Sequence, residues 1–187
     1  MNFVEPIRSK SDVEKIKNYF LTRKMRSEYL LFVIGINSCL RISDLLHLKW
    51  EQLISNGGVL DTFKVKERKT GKTKIIKINK SIHNALQEAY EGQTGYVFIS
   101  KSNAAKGNVW SRQYVWQALK RAANKVGIKE NIGTHTMRKT FGYFRREMGV
   151  PLQRLMRVFN HSSEAITLKY LGYTQEEDNE IYESINL

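Results

Sequence analysis

Residues 26–38, RSEYLLFVIGINS, constrain this chain more than any other stretch. Leu30, Leu31, Val33, Ile34 and Ile36 place apolar side chains on most faces of a helix drawn through them. A helix that is apolar nearly all round has to be enclosed by other elements, so it belongs at the centre of a core. The 187 residues suit one domain with enough chain to enclose it. Residues 1–10 read as an extended lead-in. Ser11 reads as the cap of a helix through residues 19–21, with Val13, Ile16 and Phe20 inward. Cys39, the only cysteine, reads as a small core residue at a helix end, which rules out a disulfide or a Cys-based zinc site within one chain.

The rest of the chain supplies the shell. Ser43 reads as the cap of a short helix carrying Leu45, Leu46 and Leu48. Strands are expected over 59–66 and 74–78, joined by the turn Lys69-Thr70-Gly71-Lys72, followed by a surface helix over 81–90 and a short strand over 95–99. Ser111 caps a helix through Lys125, with Val115, Leu119, Ala122 and Val126 inward. Thr134 reads as the cap of a further helix, which places His135 in its first turn and Arg138 one turn later on the same face. Gly149-Val150-Pro151 breaks that helix, and the next carries Leu152, Leu155, Met156 and Phe159 as its core stripe. A Ser162-Ser163 cap then opens a short helix reaching Tyr170.

Charge narrows the function. A net charge of +13 points to a polyanionic partner, most often nucleic acid. The rival is a membrane surface, but no basic amphipathic helix with an exposed apolar face stands out. No run reaches the roughly 18 apolar residues that span a bilayer, and MNFVEPIRSK has no signal-peptide core. A cytoplasmic protein is expected. Residues 64–80 hold eight basic side chains, Lys64, Lys66, Arg68, Lys69, Lys72, Lys74, Lys77 and Lys80, against one acid, Glu67. A hairpin lying along DNA explains such a bias, because each cation near a phosphate releases counterions. Lys101 and Lys106, in the polar loop 100–108, are expected near the same partner. The KTGK turn is too short for a nucleotide-binding P-loop. Residues 174–187 reverse the charge, with Glu176, Glu177, Asp178, Glu180 and Glu183, and are expected to dock on the basic surface of the same or a neighbouring protomer.

Three constellations carry chemistry. Arg41, in LRISDLL, is either a surface arginine paired with Asp44 or a guanidinium held rigidly by Asp44 or nearby backbone and aimed at a phosphate. HTMRKTF, with Lys139 beside Arg138, is either a solvated basic helix or a helix N-terminus furnished with His135 and Arg138 as an anion site. NHSSEAITLKY sets His161 nine positions before Tyr170.

In this order, Arg41, Lys69, His135-x-x-Arg138, His161 and Tyr170 resemble the tyrosine recombinase (phage integrase) family over roughly residues 10–185. The resemblance implies a mainly α fold with a small antiparallel β-sheet at one edge. It also implies DNA strand cleavage and rejoining through a 3′-phosphotyrosine, without metal or high-energy cofactor. Tyr170 is then the nucleophile, Arg41 and Arg138 the phosphate clamp, and Lys69 the general acid for the leaving 5′-oxygen. His135 and His161 are hydrogen-bonding and proton-transfer partners, and Asp44 supports Arg41 from behind. Lys64, Lys66, Arg68, Lys72, Lys74, Lys101, Lys106 and Lys139 are the expected DNA-backbone contacts. The expected partners are double-stranded DNA and other protomers, as a tetramer on DNA and a monomer when free.

The chain departs from the family pattern in places. Phe159-Asn160-His161 replaces the frequent Leu-Gly-His, Lys66 and Lys72 rival Lys69, and Tyr173 rivals Tyr170. A single catalytic domain over 1–187 is expected, with no separate N-terminal domain to clamp the far side of the DNA. Two other functions fit the same fold: a DNA-binding regulator without turnover, and a type IB topoisomerase-like nicking-closing enzyme.

Overall fold

The computed structural model describes residues 4–102 and 106–173. The acidic stretch 174–187 lies outside them. Helix α2, Arg26–Ser38, is central, with Leu30, Leu31, Phe32, Val33 and Ile34 all essentially inaccessible. Helices α1 (Lys10–Thr22), α4 (Lys80–Ala89), α5 (Arg112–Lys125) and α6 (Thr136–Glu147) enclose the same core. A Cβ at Gly35 would lie 2.5 Å from Met137 Sδ, so only glycine lets α6 cross α2 this closely.

Helix starts differ from expectation in three places. Ser9, not Ser11, caps α1, its hydroxyl accepting from Asp12 N. Ser43 lies inside α3 (Ile42–Leu45), whose cap position is Arg41 without a side-chain cap bond. Thr134 does not cap α6. His135 takes that position, and the Thr136 hydroxyl knits the turn by accepting from Gly133 N and donating to the Glu5 carbonyl.

Among the described residues the named strands form two antiparallel hairpins. β1 (Ile54–Ser55) pairs β2 (Gly58–Val59), and β3 (Thr62–Lys66) pairs β4 (Thr73–Lys77) with Phe63 opposite Ile76 and Val65 opposite Lys74. The strand expected over 59–66 is interrupted because Leu60 and Asp61 turn to bond Leu53 and Ile78. The strand expected over 95–99 reduces to single bridges at its ends, Lys49 with Tyr96 and Ile99 with Val109. Among the described residues no continuous strand lies alongside it.

Helices α7 (Leu152–Phe159) and α8 (Glu164–Leu171) close the chain's described part over a second apolar cluster of Cys39, Leu155, Phe159 and Leu171. They approach α6 at Gly142, where a Cβ would lie 2.5 Å from Phe159 Cζ and closer still to Leu171 Cδ2. Asn160 takes the left-handed conformation (φ +57°, ψ +49°) and His161 N bonds back to the Met156 carbonyl, a Schellman-type stop. Asparagine tolerates that conformation, so the turn does not need the family's glycine. Among the described residues no helix is long and apolar enough to cross a membrane.

Candidate active site

The seam between the two apolar clusters gathers the end of α2, the start of α3, the β3–β4 turn, the first turn of α6, the end of α7 and the middle of α8. Arg138 is its fixed point. The side chain is 3% exposed, its guanidinium donates to the carbonyls of Cys39 and Phe159 (the latter at 2.8 Å), and it stacks 4.9 Å from the Phe159 ring centre. Both carbonyls stand at helix C-termini, where unpaired acceptors and the negative dipole end stabilise a cation.

Arg41 is held by Glu67, not Asp44. Its Nη1 lies 2.9 Å from Glu67 Oε1, which also takes Lys74 Nζ at 2.8 Å, while Oε2 accepts from the Thr70 hydroxyl at 2.7 Å. Glu67 is 1% exposed. Burial alone would raise its pKa, but hydrogen bonds from Lys74 and Thr70 and the charges of Lys74 and Arg41 prevail and bring it to about 2. Asp44 is also buried, and its Oδ1 accepts from Arg68 N, so it fastens the start of the turn. Glu67 is the residue that sequence reasoning missed. The alternation Phe63, Val65, Glu67 already aims it inward, since residues two apart on a strand share a face.

The hairpin is docked on the end of α7. Lys72 Nζ donates to Asn160 Oδ1 at 2.9 Å and Lys74 Nζ to the Val158 carbonyl at 2.7 Å. Lys69 stands exposed in the turn, as do Lys64, Lys66 and Arg68 on the hairpin and Lys101 and Lys106 in their loop. Lys139 differs from its expected place on a DNA-facing surface. It is 4% exposed, with Nζ 5.0 Å from the centre of the Tyr170 ring.

Tyr170 is ringed by aromatic groups. Its ring meets His161 edge-on at 5.0 Å, Phe159 at 5.3 Å and His135 at 6.5 Å, and its hydroxyl lies 3.3 Å from His135 Nδ1. Desolvation pushes the phenol up to about 12, against the pull of the nearby Arg138 guanidinium. Both histidines are lowered, first by desolvation and then by Arg138. Lys139, Arg112 and Arg41 add to the effect at His135, and Arg41 and Lys74 at His161. Each is therefore a neutral imidazole at physiological pH. His161 stacks on Phe159 at 5.2 Å and shares a hydrogen bond with the Thr167 hydroxyl at 3.2 Å, which orients its ring.

Tyr173 faces elsewhere. Its hydroxyl donates to Glu147 at 2.9 Å, its ring stacks on Tyr143, and burial together with Glu147 raises its pKa. Of the six residues with expected chemical roles, five converge at the seam, and Lys69 rides on the turn that is docked to it.

Known proteins are similar to this chain in sequence and in fold. Residues 9–177 match the phage integrase family. Over 182 residues the chain is 35% identical to the probable integrase/recombinase YoeC of Bacillus subtilis, covering 97% of each. Over 180 residues it is 24% identical to the tyrosine recombinase XerD of Staphylococcus aureus, covering 91% of this chain but 56% of XerD, so it spans about half of that relative. Among solved structures it resembles the XerA recombinase (TM-score 0.72, 16% identity, 98% of this chain and 65% of that one). It also resembles the XerH recombinase in a post-cleavage complex with its difH substrate (TM-score 0.67, 20% identity, 94% and 52%).

Proposed function

The chain belongs to the phage integrase family and is a tyrosine-class DNA recombinase, and we propose that it cleaves double-stranded DNA by attack of Tyr170 on a phosphodiester. The phosphorus becomes bonded to the tyrosine oxygen, leaving a 3′-phosphotyrosine, and the 5′-oxygen departs. The observation that carries this reading is the 3.3 Å separation between His135 Nδ1 and the Tyr170 hydroxyl, with Arg138 pinned beside them.

A phenol with its pKa near 12 is a weak nucleophile at neutral pH and needs a base as it attacks. His135, kept neutral by desolvation and by its cationic neighbours, is placed to take that proton. Arg138 and Arg41 face the nonbridging oxygens, where charge grows in the transition state, and they supply the stabilisation that a metal provides elsewhere. His161, oriented by Thr167, hydrogen bonds the same phosphate. Lys69 protonates the leaving 5′-oxygen. The phosphotyrosine retains the ester, so a second 5′-hydroxyl attacks it by the reverse route and rejoining needs no ATP.

Lys64, Lys66, Arg68, Lys101 and Lys106 are exposed cations suited to the DNA backbone. Lys72, Lys74 and Lys139 already have protein contacts and serve the site's architecture first. The assembly is a tetramer on DNA formed from monomers, and its outcome is integration, excision or inversion.

The test is to incubate the protein with a pool of nicked duplexes of randomised sequence and recover adducts that survive SDS. Wild type and Tyr173→Phe form the adduct, and Tyr170→Phe does not. An adduct from Tyr170→Phe, or none from wild type despite tight DNA binding, overturns the reading. The second result favours a silent DNA-binding protein.

A further inference from the structure

We propose that Glu67 is a positioning residue that latches the turn carrying Lys69 to the two phosphate-binding arginines, so that the proton donor and the clamp are held as one unit. This rests on the reading of Lys69 as the general acid. Glu67 divides its two oxygens between two tasks. Oε1 takes the cations, Arg41 at 2.9 Å and Lys74 at 2.8 Å, and Oε2 takes the Thr70 hydroxyl at 2.7 Å, one residue beyond Lys69. The backbone closes the same turn, with Gly71 N on the Glu67 carbonyl and Glu67 N on the Lys72 carbonyl.

The chain of contacts continues to the second arginine. Lys74 also donates to the Val158 carbonyl, and the next carbonyl, Phe159, accepts from Arg138. One carboxylate thus joins the turn, Arg41 and, through Lys74 and the end of α7, Arg138. At 1% exposure, loss of the Thr70 hydroxyl leaves Oε2 desolvated and unpaired and frees the turn, while Oε1 keeps its two cations. A carboxylate also repels a phosphate, so Glu67 acts through its partners and not on DNA.

The experiment compares two nicked duplexes carrying the sequence captured above, one with an ordinary phosphodiester and one with a 5′-bridging phosphorothiolate at the cleavage position. The sulfur leaves as a thiolate, whose conjugate acid has a pKa of about 8.5, so it needs no proton donor. Lys69→Ala is the reference, expected to be slow on the ordinary duplex and recovered on the sulfur one. General-acid catalysis is worth about 10²–10⁴-fold. Thr70→Val, which leaves the Arg41 and Lys74 pairs in place, is expected to slow ordinary cleavage by about tenfold and to recover to within about twofold on the sulfur duplex. Glu67→Gln is expected to recover in part, keeping a deficit from the loosened Arg41. The latch alone is overturned if Thr70→Val cleaves ordinary DNA at the wild-type rate, or if its defect is equal on both duplexes while Lys69→Ala recovers. If Lys69→Ala does not recover, the role of Lys69 is overturned and the latch with it.

Discussion

The ammonium group of Lys139 lies 5.0 Å from the centre of the Tyr170 ring, while His135, at the N-cap of α6, lies 3.3 Å from the same residue's hydroxyl. The candidate nucleophile is therefore held against one face of α6 by a cation on its ring and an imidazole at its oxygen. A cation over an aromatic face contributes about 0.5–2 kcal/mol, more when desolvated.

That cation is conditional on pH. Burial lowers Lys139 to about 8, against an opposing pull from Glu5. As pH rises through 8 the ammonium loses its proton and its hold on the ring. Adduct formation at saturating DNA should decline on an alkaline limb near pH 8, well below the titration of Tyr170 itself. Lys139→Arg keeps its charge and should move that limb upward, whereas Lys139→Met should show the lowered rate at every pH. Single-turnover rates across the range check both.

Glu67 has the opposite sign of dependence. Its folded carboxyl titrates near 2, below the ordinary value of 4.5, so the unfolded chain binds more protons between those values. The stabilisation is complete above about pH 4.5 and is lost as pH falls towards 2, amounting to at most about 3 kcal/mol. Urea unfolding should show wild type more stable than Glu67→Gln near neutrality, with the gap closing as the solution is acidified. His135 and His161, both lowered, also remove stability as pH falls below 6.5, but equally in the two proteins.

Gly142→Ala tests the seam's packing. The added methyl would press on Phe159 and Leu171, and overpacking of this kind costs about 1–3 kcal/mol. Because Phe159 also supplies the carbonyl that holds Arg138, adduct formation should fall along with the denaturation midpoint. An unchanged rate in a destabilised protein would separate the two effects.

Asn160 offers a milder change. Its left-handed conformation suits glycine and asparagine, so Asn160→Gly should fold with stability near wild type. Asn160→Ala should lose about 1–2 kcal/mol. Both lose the bond from Lys72, so the difference between their midpoints isolates the backbone contribution.

Much of the fold was legible because its strongest signals are local. The all-round apolar pattern of 26–38 marked α2 as central, and Ser111 and Ser163 marked helix starts through hydroxyls that bond amides three residues on. Ser9 against Ser11 could not be separated by residue type, since both precede the same apolar stripe. The candidate residues were picked out by their order and spacing, and five of them meet at the seam, but the contacts that hold them there were not legible. Arg138 rests on main-chain carbonyls of residues 39 and 159, which no side-chain pattern displays. Arg41 chose Glu67, 26 positions away, over Asp44 three positions away, because α3 turns the Asp44 carboxylate towards the hairpin backbone. Lys139 was expected outside because its helix is so basic, yet it shares the buried face with Arg138.

The two arginines greet an incoming anion on different terms. Among the described residues Arg138 is solvated by neutral peptide carbonyls, so on the proposed reading a phosphate beside it would displace no carboxylate of theirs. Arg41 already has a carboxylate counterion, and a phosphate arriving there must share the guanidinium with Glu67. The site is thus polarised before any substrate enters. Among the described residues one arginine has only neutral partners, and the other is a buffered charge whose strength depends on how firmly the hairpin holds Glu67 in place.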